Sequence, residues 1–202
     1  MEKNEKAWLF ETELKGKNVT LRALQKGDAA ALVKAAADGE LWDLWYASVP
    51  GADSIRGFID YALAEQKAGR CLPFVVVGNR SRKVIGSTRL CNADSVNKRI
   101  EIGYTWYARK FQRTIVNTEC KYLLLRFAFQ HLSAIAVEFR THWHNHASRN
   151  ALSRLGAKQD GVLRNHKIMP DGSMRDTVIF SIIAQEWPAV KSNLLFKLGV
   201  RR

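Results

Sequence analysis

Residues 101–119 have the sequence EIGYTWYARKFQRTIVNTE, and the succession of strand, loop and helix in this stretch decides the fold. Its first part is rich in β-branched and aromatic residues, which predicts a strand over 100–107. Apolar residues at 123, 124, 127 and 128 then predict a helix over 119–131. A loop that enters a helix leaves backbone N–H groups unpaired, and the helix dipole adds partial positive charge there. The stretch therefore indicates an anion site, although an ordinary loop with surface Arg and Lys fits the same local pattern.

The segments on both sides of this stretch alternate between strand and helix patterns. They are a strand at 18–24, helices at 26–37 and 55–67, a hairpin of 72–77 with 84–90, a strand at 134–140, a helix at 145–155 and strands at 161–168 and 177–183. The resulting order, βααβββαβαββ, predicts an α/β (α+β) fold with a mixed, mostly antiparallel sheet of about seven strands flanked by about four helices. We assign residues 17–184 to the domain, 1–16 to an N-terminal extension and 185–202 to a C-terminal appendage.

The charge of the chain is strongly basic and unevenly placed. The 202 residues include 32 Lys and Arg against 19 Asp and Glu, a formal net charge of +13, and 47% of them are hydrophobic. This apolar content excludes a disordered basic tail and predicts a folded domain. Residues 61–202 contain 24 basic and 9 acidic residues. Such a field attracts nucleic acid, an anionic membrane surface or a phosphorylated small molecule, and it is equally typical of a solvated surface without a dedicated partner.

Cysteine usage and hydropathy point to the cytoplasm. Cys71, Cys91 and Cys120 are an odd number with no CxxC pair, so they are expected to be reduced thiols. Residues 1–13 lack the apolar core of a secretory signal, and no stretch of about 18 apolar residues predicts a membrane span. We therefore expect a cytoplasmic protein with no membrane partner.

Three segments in this order and spacing resemble the GNAT superfamily of N-acetyltransferases, in its RimJ/RimL-type branch of ribosomal-protein N-terminal acetyltransferases. They are EIGY at 101–104 with FQRTIVNTE at 111–119, WHNHASR at 143–149 with LGA at 155–157, and DGSMRD at 171–176 with VIFS at 178–181. The resemblance covers roughly residues 17–184. It implies the acyl-CoA N-acyltransferase (GNAT) fold, with a V-shaped opening between the strands near 100–107 and 134–141, and acetyl-CoA as co-substrate.

The resemblance also implies which residues hold the coenzyme. The family's loop has the pattern Gln/Arg-x-x-Gly-x-Gly/Ala, in which Gln112 takes the first place, Ile115 stands where glycine is usual, and Asn117 takes the small-residue place. In the family, the Asn of the later helix meets the pantetheine arm and its Ser lies near the coenzyme sulfur. The local sequence fits a plain helix N-cap and first turn equally well. The implied coenzyme-binding residues are Trp106, Tyr107, Gln112, Arg113, Thr114, Ile115, Val116, Asn117, Thr118, Asn145 and Ser148.

The implied reaction is direct transfer of an acetyl group from the thioester to an amine. Such an enzyme must deprotonate the amine, stabilise an oxyanion and protonate the departing thiolate. By resemblance, Glu101 is the candidate base, Ser148 the candidate acid with Tyr107 behind it, and a backbone N–H near 106–107 the oxyanion donor. Strand alternation places Glu101 on one face with Gly103 and Thr105. The alternative for Glu101 is a surface carboxylate paired with Arg99 or Lys98.

Aromatic residues and histidines are candidates for the acceptor site. In RimJ/RimL-like proteins, the connection between the first two helices borders that site, which implies substrate contacts for Trp42, Trp45 and Tyr46, whereas ordinary core or lid packing remains the alternative. The run His142-x-His144-x-His146 suggests the hypothesis of a metal site. It crosses a predicted junction of strand and helix, and no nearby Cys or carboxylate completes a closed set, so we predict no metal. We expect His142 and His144 to line the acceptor cleft or the coenzyme loop.

The sequence alone leaves open the acceptor, the oligomeric state and two rival functions. The resemblance implies a primary amine as acceptor, either the α-amine of a protein N-terminus or a small molecule, and it leaves a homodimer open. One rival is a non-catalytic module that binds acyl-CoA. The other is a basic protein that binds the ribosome or nucleic acid directly. The sequence shows no helix-turn-helix or stacked-aromatic RNA motif, so no dedicated nucleic-acid partner is predicted.

Overall fold

A computed structural model describes residues 8–200 as one mixed sheet with helices on both faces. The strands are β1 (Leu14–Lys15), β2 (Val19–Ala23), β3 (Leu72–Gly78), β4 (Val84–Asp94), β5 (Arg99–Tyr107), β6 (Ala136–His142), β7 (Lys158–Ile168) and β8 (Met174–Ile183). The α-helices are α1 (Ala29–Ala37), α2 (Ile55–Lys67), α3 (Ile115–Gln130), α4 (His146–Leu155) and α5 (Trp187–Lys197). The predicted order βααβββαβαββ is confirmed, with a short β1 before it and α5 after it.

The sheet has the strand order β1-β2-β3-β4-β5-β6-β8-β7, and all of its neighbours are antiparallel except β5 and β6. That parallel pair is short. Only residues 99–101 of β5 pair with 136–138 of β6, and beyond them the two strands separate. The predicted V-shaped opening between these strands is therefore present, and the β5 edge past Glu101 has no strand partner in residues 8–200.

Two apolar clusters fill the two faces of the sheet. One lies under α1 and α2 and includes Leu32, Ile59 and the indole of Trp106. The other lies under α3, α4 and α5 and includes Leu124, Phe139 and Leu152. Because α3 is covered by the sheet on one side and by α5 on another, it is apolar on most of its circumference. None of the helices in residues 8–200 is long and apolar enough to cross a membrane.

The C-terminal segment contributes to the larger cluster. Within the segment predicted as a C-terminal appendage, residues 187–197 form α5, with Pro188 in its first turn. Trp187, Val190 and Leu194 are buried, and the Trp187 ring stacks on Phe129 at 5.3 Å between centroids. The remainder of the predicted N-terminal extension and of this segment, residues 1–7 and 201–202, lies outside the described residues.

A carboxylate ties the start of the sheet to α3. Glu119 is buried, and its two oxygens accept hydrogen bonds from the backbone N–H groups of Lys17, Asn18 and Val19 at 2.7, 2.9 and 3.1 Å. These donors precede or begin β2, so the side chain satisfies N–H groups at the strand's entry. This contact fixes the height of α3 above the sheet and with it the position of the loop before α3.

Candidate active site

The backbone of β5 is irregular where the strand leaves β6. Tyr104 has a φ of 51°, and the pairing with β4 shifts between Arg89 opposite Gly103 and Ser87 opposite Trp106. This β-bulge inserts one residue, so the side chains after it exchange faces. The prediction that Thr105 shares the face of Glu101 was wrong for this reason. Thr105 points toward α3, whereas Glu101 points to the face covered by α1 and α2.

The loop before α3 exposes a set of backbone donors. Thr114 caps the helix, and its Oγ1 accepts from the N–H of Val116 at 3.3 Å. Within residues 8–200, no backbone acceptor meets the N–H groups of residues 113–115 and 117. The left-handed residue of the loop is Arg113, with a φ of 57°, so Ile115 begins the helix without needing the positive φ that glycine tolerates.

The surroundings of this loop suit a phosphate. Gln112 donates from Nε2 to the carbonyl of Tyr107 at 2.9 Å, which ties the loop to the end of β5. The side chains of Arg109, Lys110 and Arg113 are exposed around it, and Lys110 reaches Asp38 at 3.7 Å. Free N–H groups, a helix N-terminus and three cations together form an anion cradle. It adjoins the opening between β5 and β6, and the two features fit a phosphorylated ligand with an extended arm.

The helix after β6 begins at the same opening. Asn145 caps α4, because its Oδ1 accepts from the N–H of Ser148 at 3.0 Å. The N-cap interpretation of Asn145 is thus present in the structure, and it uses the carbonyl of the side chain rather than its NH2 group. Ser148 is half-buried and lies on the side of α4 that carries buried Leu152.

Glu101 is a buried carboxylate at the edge of the opening. Only 7% of the residue is exposed, Asn92 donates from Nδ2 to its Oε2 at 2.8 Å, and the Nε of Arg140 lies 3.4 Å from the same oxygen. Burial raises the pKa of Glu101, and these two partners only partly oppose it. The alternative pairing with Arg99 is not found, because Arg99 forms its ion pair with Glu138.

The histidines and Trp45 meet on the same face as Glu101. The Trp45 ring lies 4.9 Å from that of His142 and 5.6 Å from that of His144, between centroids. His142 is buried and accepts the N–H of His144 at its Nδ1, at 3.0 Å. Burial lowers the pKa of His142, and the charges of Arg175 and His144 lower it further.

Trp42 and Tyr46 contribute less directly. Tyr46 packs edge-on against Trp45 at 5.6 Å between centroids, and Trp42 lies over Gly51. The structure thus gathers Trp45, His142 and His144 at one wall of the cleft. In residues 8–200, no group of three His, Cys, Asp or Glu side chains has an arrangement that could hold a metal ion.

Two aromatic residues of β5 point away from the opening. Tyr107 is buried against α3, where its phenol contacts the thiol of Cys120, and burial raises the pKa of Tyr107 well above its ordinary value. This placement argues against the predicted role of Tyr107 as an acid. The indole of Trp106 belongs to the cluster under α1 and α2, so only the backbone of Trp106 is available to a ligand in the opening.

Lys121 lies at the opening and was not among the predicted site residues. Lysine usually lies on the solvent face of a helix, yet Lys121 is only 7% exposed. Its Nζ donates to Thr105 Oγ1 at 3.1 Å and lies 5.3 Å from the centroid of Phe139, so it spans β5 and β6 where they separate. Among residues 8–200 it has no carboxylate partner, and burial lowers its pKa to about 8. The helical stripe shared with buried Leu125 and Ala128 was the available signal.

The comparisons with known proteins agree with this geometry. The sequence profile of the acetyltransferase (GNAT) domain matches residues 18–158. The Bacillus subtilis (strain 168) protein named "Putative ribosomal N-acetyltransferase YdaF" is 32% identical over 107 residues, which span 52% of this chain and 57% of that protein. A crystal structure of a GCN5-related N-acetyltransferase from Brucella melitensis is 27% identical, with a TM-score of 0.82 over 93% of this chain and 86% of that one. Mycobacterium smegmatis RimJ, solved in complex with CoA-disulfide, is 24% identical with a TM-score of 0.74 over 90% and 89%, a likeness of fold alone.

Proposed function

The chain belongs to the GNAT acetyltransferase family, whose members are acetyl-CoA-dependent enzymes, and from this premise we propose that it transfers an acetyl group to a primary amine. The observation that carries the proposal is the buried carboxylate of Glu101 beside the opening between β5 and β6. A carboxylate in that place can take a proton from an amine that approaches from the face under α1 and α2.

We assign the coenzyme to the other side of the opening. The free N–H groups of residues 113–115 and 117, together with Arg109 and Arg113, would hold its pyrophosphate. The unpaired edge of β5 beyond Glu101 would receive the pantetheine arm, because a strand edge without a partner offers backbone donors and acceptors. Ile115 lies at the helix start with an ordinary φ, so its side chain is compatible with this loop geometry.

Acetyl-CoA, when bound, supplies the thioester: the amine nitrogen forms the new N–C bond, the C–S bond breaks, and its electron pair leaves on sulfur. Glu101 accepts the proton of the incoming ammonium, directly or through water. A backbone N–H group of the β5 edge beyond Glu101, which has no strand partner in residues 8–200, would stabilise the developing negative charge on the acetyl oxygen. Lys121 adds positive charge on the coenzyme side. The Ser148 hydroxyl gives a proton to the departing sulfur and regains one, through water, from the nitrogen of the collapsing intermediate, which becomes the neutral amide. The products are an amide and a thiol.

The raised pKa of Glu101 suits the role of base. A carboxylate of ordinary pKa is a weak base at neutral pH, and catalytic bases work best when their pKa lies nearer the working pH. Burial raises the pKa of Glu101 in that direction. Asn92 and Arg140 both contact Oε2, whereas Oε1 lies above Gly103, so Oε1 is the oxygen left to receive the proton.

The first experiment measures thiol release from acetyl-CoA across a panel of amines, with mass spectrometry of the acetylated product. Glu101→Gln should lower kcat/KM by about 10²- to 10⁴-fold and leave the acetyl-CoA affinity within about threefold. Glu138→Gln is the matched control, because Glu138 is the neighbouring carboxylate on β6 and is neutralised by Arg99 and Arg140. It should retain most of the turnover.

Other outcomes would favour the rival functions. Tight acetyl-CoA binding without thiol release from any amine would support a non-catalytic acyl-CoA-binding module. Binding to arbitrary RNA or DNA that weakens steeply with salt, without acetyl-CoA binding, would support a nucleic-acid-binding protein.

For the acceptor, the names of the relatives support a protein N-terminus. The Bacillus subtilis relative carries the words ribosomal N-acetyltransferase in its name. The basic surface of residues 61–202 is compatible with a ribosomal partner. A peptide library with free N-termini, incubated with the enzyme and acetyl-CoA, tests this assignment against a panel of small-molecule amines.

A further inference from the structure

The acceptor side of the opening contains more cations than its carboxylates can neutralise. Strand alternation puts Arg175 on the same face as Arg140 and His142, because Thr177, two residues after Arg175, lies opposite His142 in the pairing of β6 with β8. On this face Glu101 and Glu138 are both contacted by Arg140, and Arg99 also pairs with Glu138. Asp176 forms an ion pair with Arg164, with 2.5 Å between Asp176 Oδ2 and Arg164 Nε. The carboxylates near Arg175 therefore already have cationic partners.

Arg175 is a half-buried guanidinium without a carboxylate of its own. Its Nε donates to Thr177 Oγ1 at 3.1 Å, and it forms no ion pair within 4.0 Å in the described part of the chain. Burial lowers the pKa of Arg175, and the charge of Glu101 opposes that change. Tyr104 lies on the same face of the sheet, because its ring packs against that of Phe58 of α2 at 6.3 Å between centroids. Burial lowers the pKa values of His142 and His166, and the charge of Arg175 lowers both further. An unpaired cation in this position is costly unless an anion reaches it.

A second guanidinium, that of Arg89, adds positive charge on the same face of the sheet, beneath the ring of Tyr104. Arg89 is 1% exposed, and it lies between the rings of Phe58 and Tyr104, 4.1 Å from each centroid. Its Nη2 donates to the carbonyl of Phe58, and its Nε and Nη1 have no hydrogen-bond partner in residues 8–200. Tyr104, which is 39% exposed, thus separates a buried cation from the cleft that Arg175 faces.

We propose that the acceptor carries an oxyanion close to its amine, and that Arg175 with Tyr104 binds this oxyanion while Glu101 receives the amine. The oxyanion is a carboxylate or a phosphate, since a guanidinium and a phenol O–H recognise both. The inference rests on the proposed acetyl transfer and specifies its substrate class. Glu101 then contacts the ammonium of the acceptor, and Arg175 contacts the anion of the same molecule.

The test compares acceptors that differ in the anion alone. The pairs are β-alanine with β-alaninamide, O-phosphoethanolamine with ethanolamine, and aspartyl-alaninamide with asparaginyl-alaninamide. In at least one pair, the wild-type enzyme should prefer the anionic member by about 10-fold or more in kcat/KM. The carboxylate and phosphate pairs distinguish the two sources of the oxyanion. Equal kcat/KM values within every pair would overturn the proposal.

Variants assign the preference to Arg175. Arg175→Gln should lower kcat/KM for the preferred anionic acceptor by about 10- to 100-fold, with less than about threefold effect on its neutral partner. Arg175→Lys should restore part of the preference. Arg164→Gln is the matched control, because Arg164 is exposed on the neighbouring strand, and it should leave both values unchanged. Equal losses for both members of a pair in Arg175→Gln would contradict the assignment.

A binding measurement separates this inference from the acetyl transfer itself. With coenzyme A saturating the loop before α3, and with ionic strength held constant, inorganic phosphate should raise the Tm of the wild-type protein. The rise should be lost in Arg175→Gln and kept in Arg164→Gln. An equal rise in all three proteins would overturn the anion site, even if amines are acetylated. If no amine is acetylated but the rise depends on Arg175, the anion site stands and the proposed reaction fails.

Discussion

Replacing Lys121 by Met should make the protein more stable at neutral pH. The buried ammonium has no carboxylate partner in residues 8–200, and its pKa is lowered to about 8 from the ordinary 10.5. At 1.36 kcal/mol per pH unit, this difference is a cost of about 3 kcal/mol to the folded state while the amine is charged. The lost hydrogen bond to Thr105 Oγ1 offsets about 1 kcal/mol of the gain. Thr105 keeps its bond to Thr88, at 2.7 Å, so no hydroxyl is stranded. We therefore expect Lys121→Met to gain about 2 kcal/mol at pH 7.

The pH dependence is the sharper part of this prediction. Between the two pKa values, the unfolded chain binds more protons at Lys121 than the folded chain does, so wild-type stability rises with pH through this window. The destabilisation of the folded state by the buried Lys121 ammonium is complete below pH 8 and falls by about 2 kcal/mol between pH 7 and pH 9.5. At pH 9.5, the difference in the free energy of unfolding between Lys121→Met and the wild type should therefore be close to zero. Other groups that titrate in this range, including Cys120, are present in both proteins and largely cancel in the comparison.

Urea unfolding of both proteins at pH 7 and pH 9.5 measures this difference directly. Lys67→Met is the control for a general effect of Lys-to-Met exchange, since Lys67 is exposed at the end of α2, and it should change stability by less than about 0.5 kcal/mol. We also expect kcat of Lys121→Met to fall by about 10-fold, because the variant removes the cation beside the opening. A Met variant that is less stable than wild type at both pH values would refute the reasoning that the charge of Lys121 is buried without compensation.

The remaining predictions concern the loop, the base and the anchor of α3. Ile115→Gly should keep or tighten acetyl-CoA affinity measured by calorimetry, because Ile115 has an ordinary φ and the loop's positive φ belongs to Arg113; a collapse of affinity would show that the loop does not use the family's geometry. Ser148→Ala should lower kcat by about 10-fold with the acetyl-CoA Kd within about twofold, and equal loss of both would assign Ser148 to binding. The kcat/KM of the wild type should rise with pH through the raised pKa of Glu101, and this limb should be absent in Glu101→Gln. Glu119→Ala should cost about 3 kcal/mol in urea unfolding by leaving buried N–H groups unpaired, and Glu119→Gln less; equal stability of wild type and Glu119→Ala would remove the anchoring role.

The sequence by itself determined the order of the elements and the place of the loop between β5 and α3. These depend on local properties that a linear pattern contains: apolar periodicity, capping residues and turn residues. The helix over Ile55–Lys67 was predicted with the bounds that the structure has, and the cap of α4 by Asn145 was among the alternatives. Trp45 was singled out by the resemblance to the family, and His142 and His144 by the His-x-His-x-His run, whereas their contacts with one another come from the structure.

Only the tertiary structure determined which side chains line the opening between β5 and β6 and what surrounds each of them. The bulge at Tyr104 moved Thr105 to the face of α3, and packing against Cys120 took the phenol of Tyr107 into the core. Burial of Lys121 followed from the cover of α3 by both the sheet and other helices, and the helical stripe that Lys121 shares with Leu125 and Ala128 does not show which elements cover it. That Arg175 has no ion pair within 4.0 Å in residues 8–200 depends on the pairing of β6 with β8, which sets its neighbours. In each case the environment of the group is made by residues far apart in the chain, so its charge and pKa are properties of the fold rather than of the local sequence.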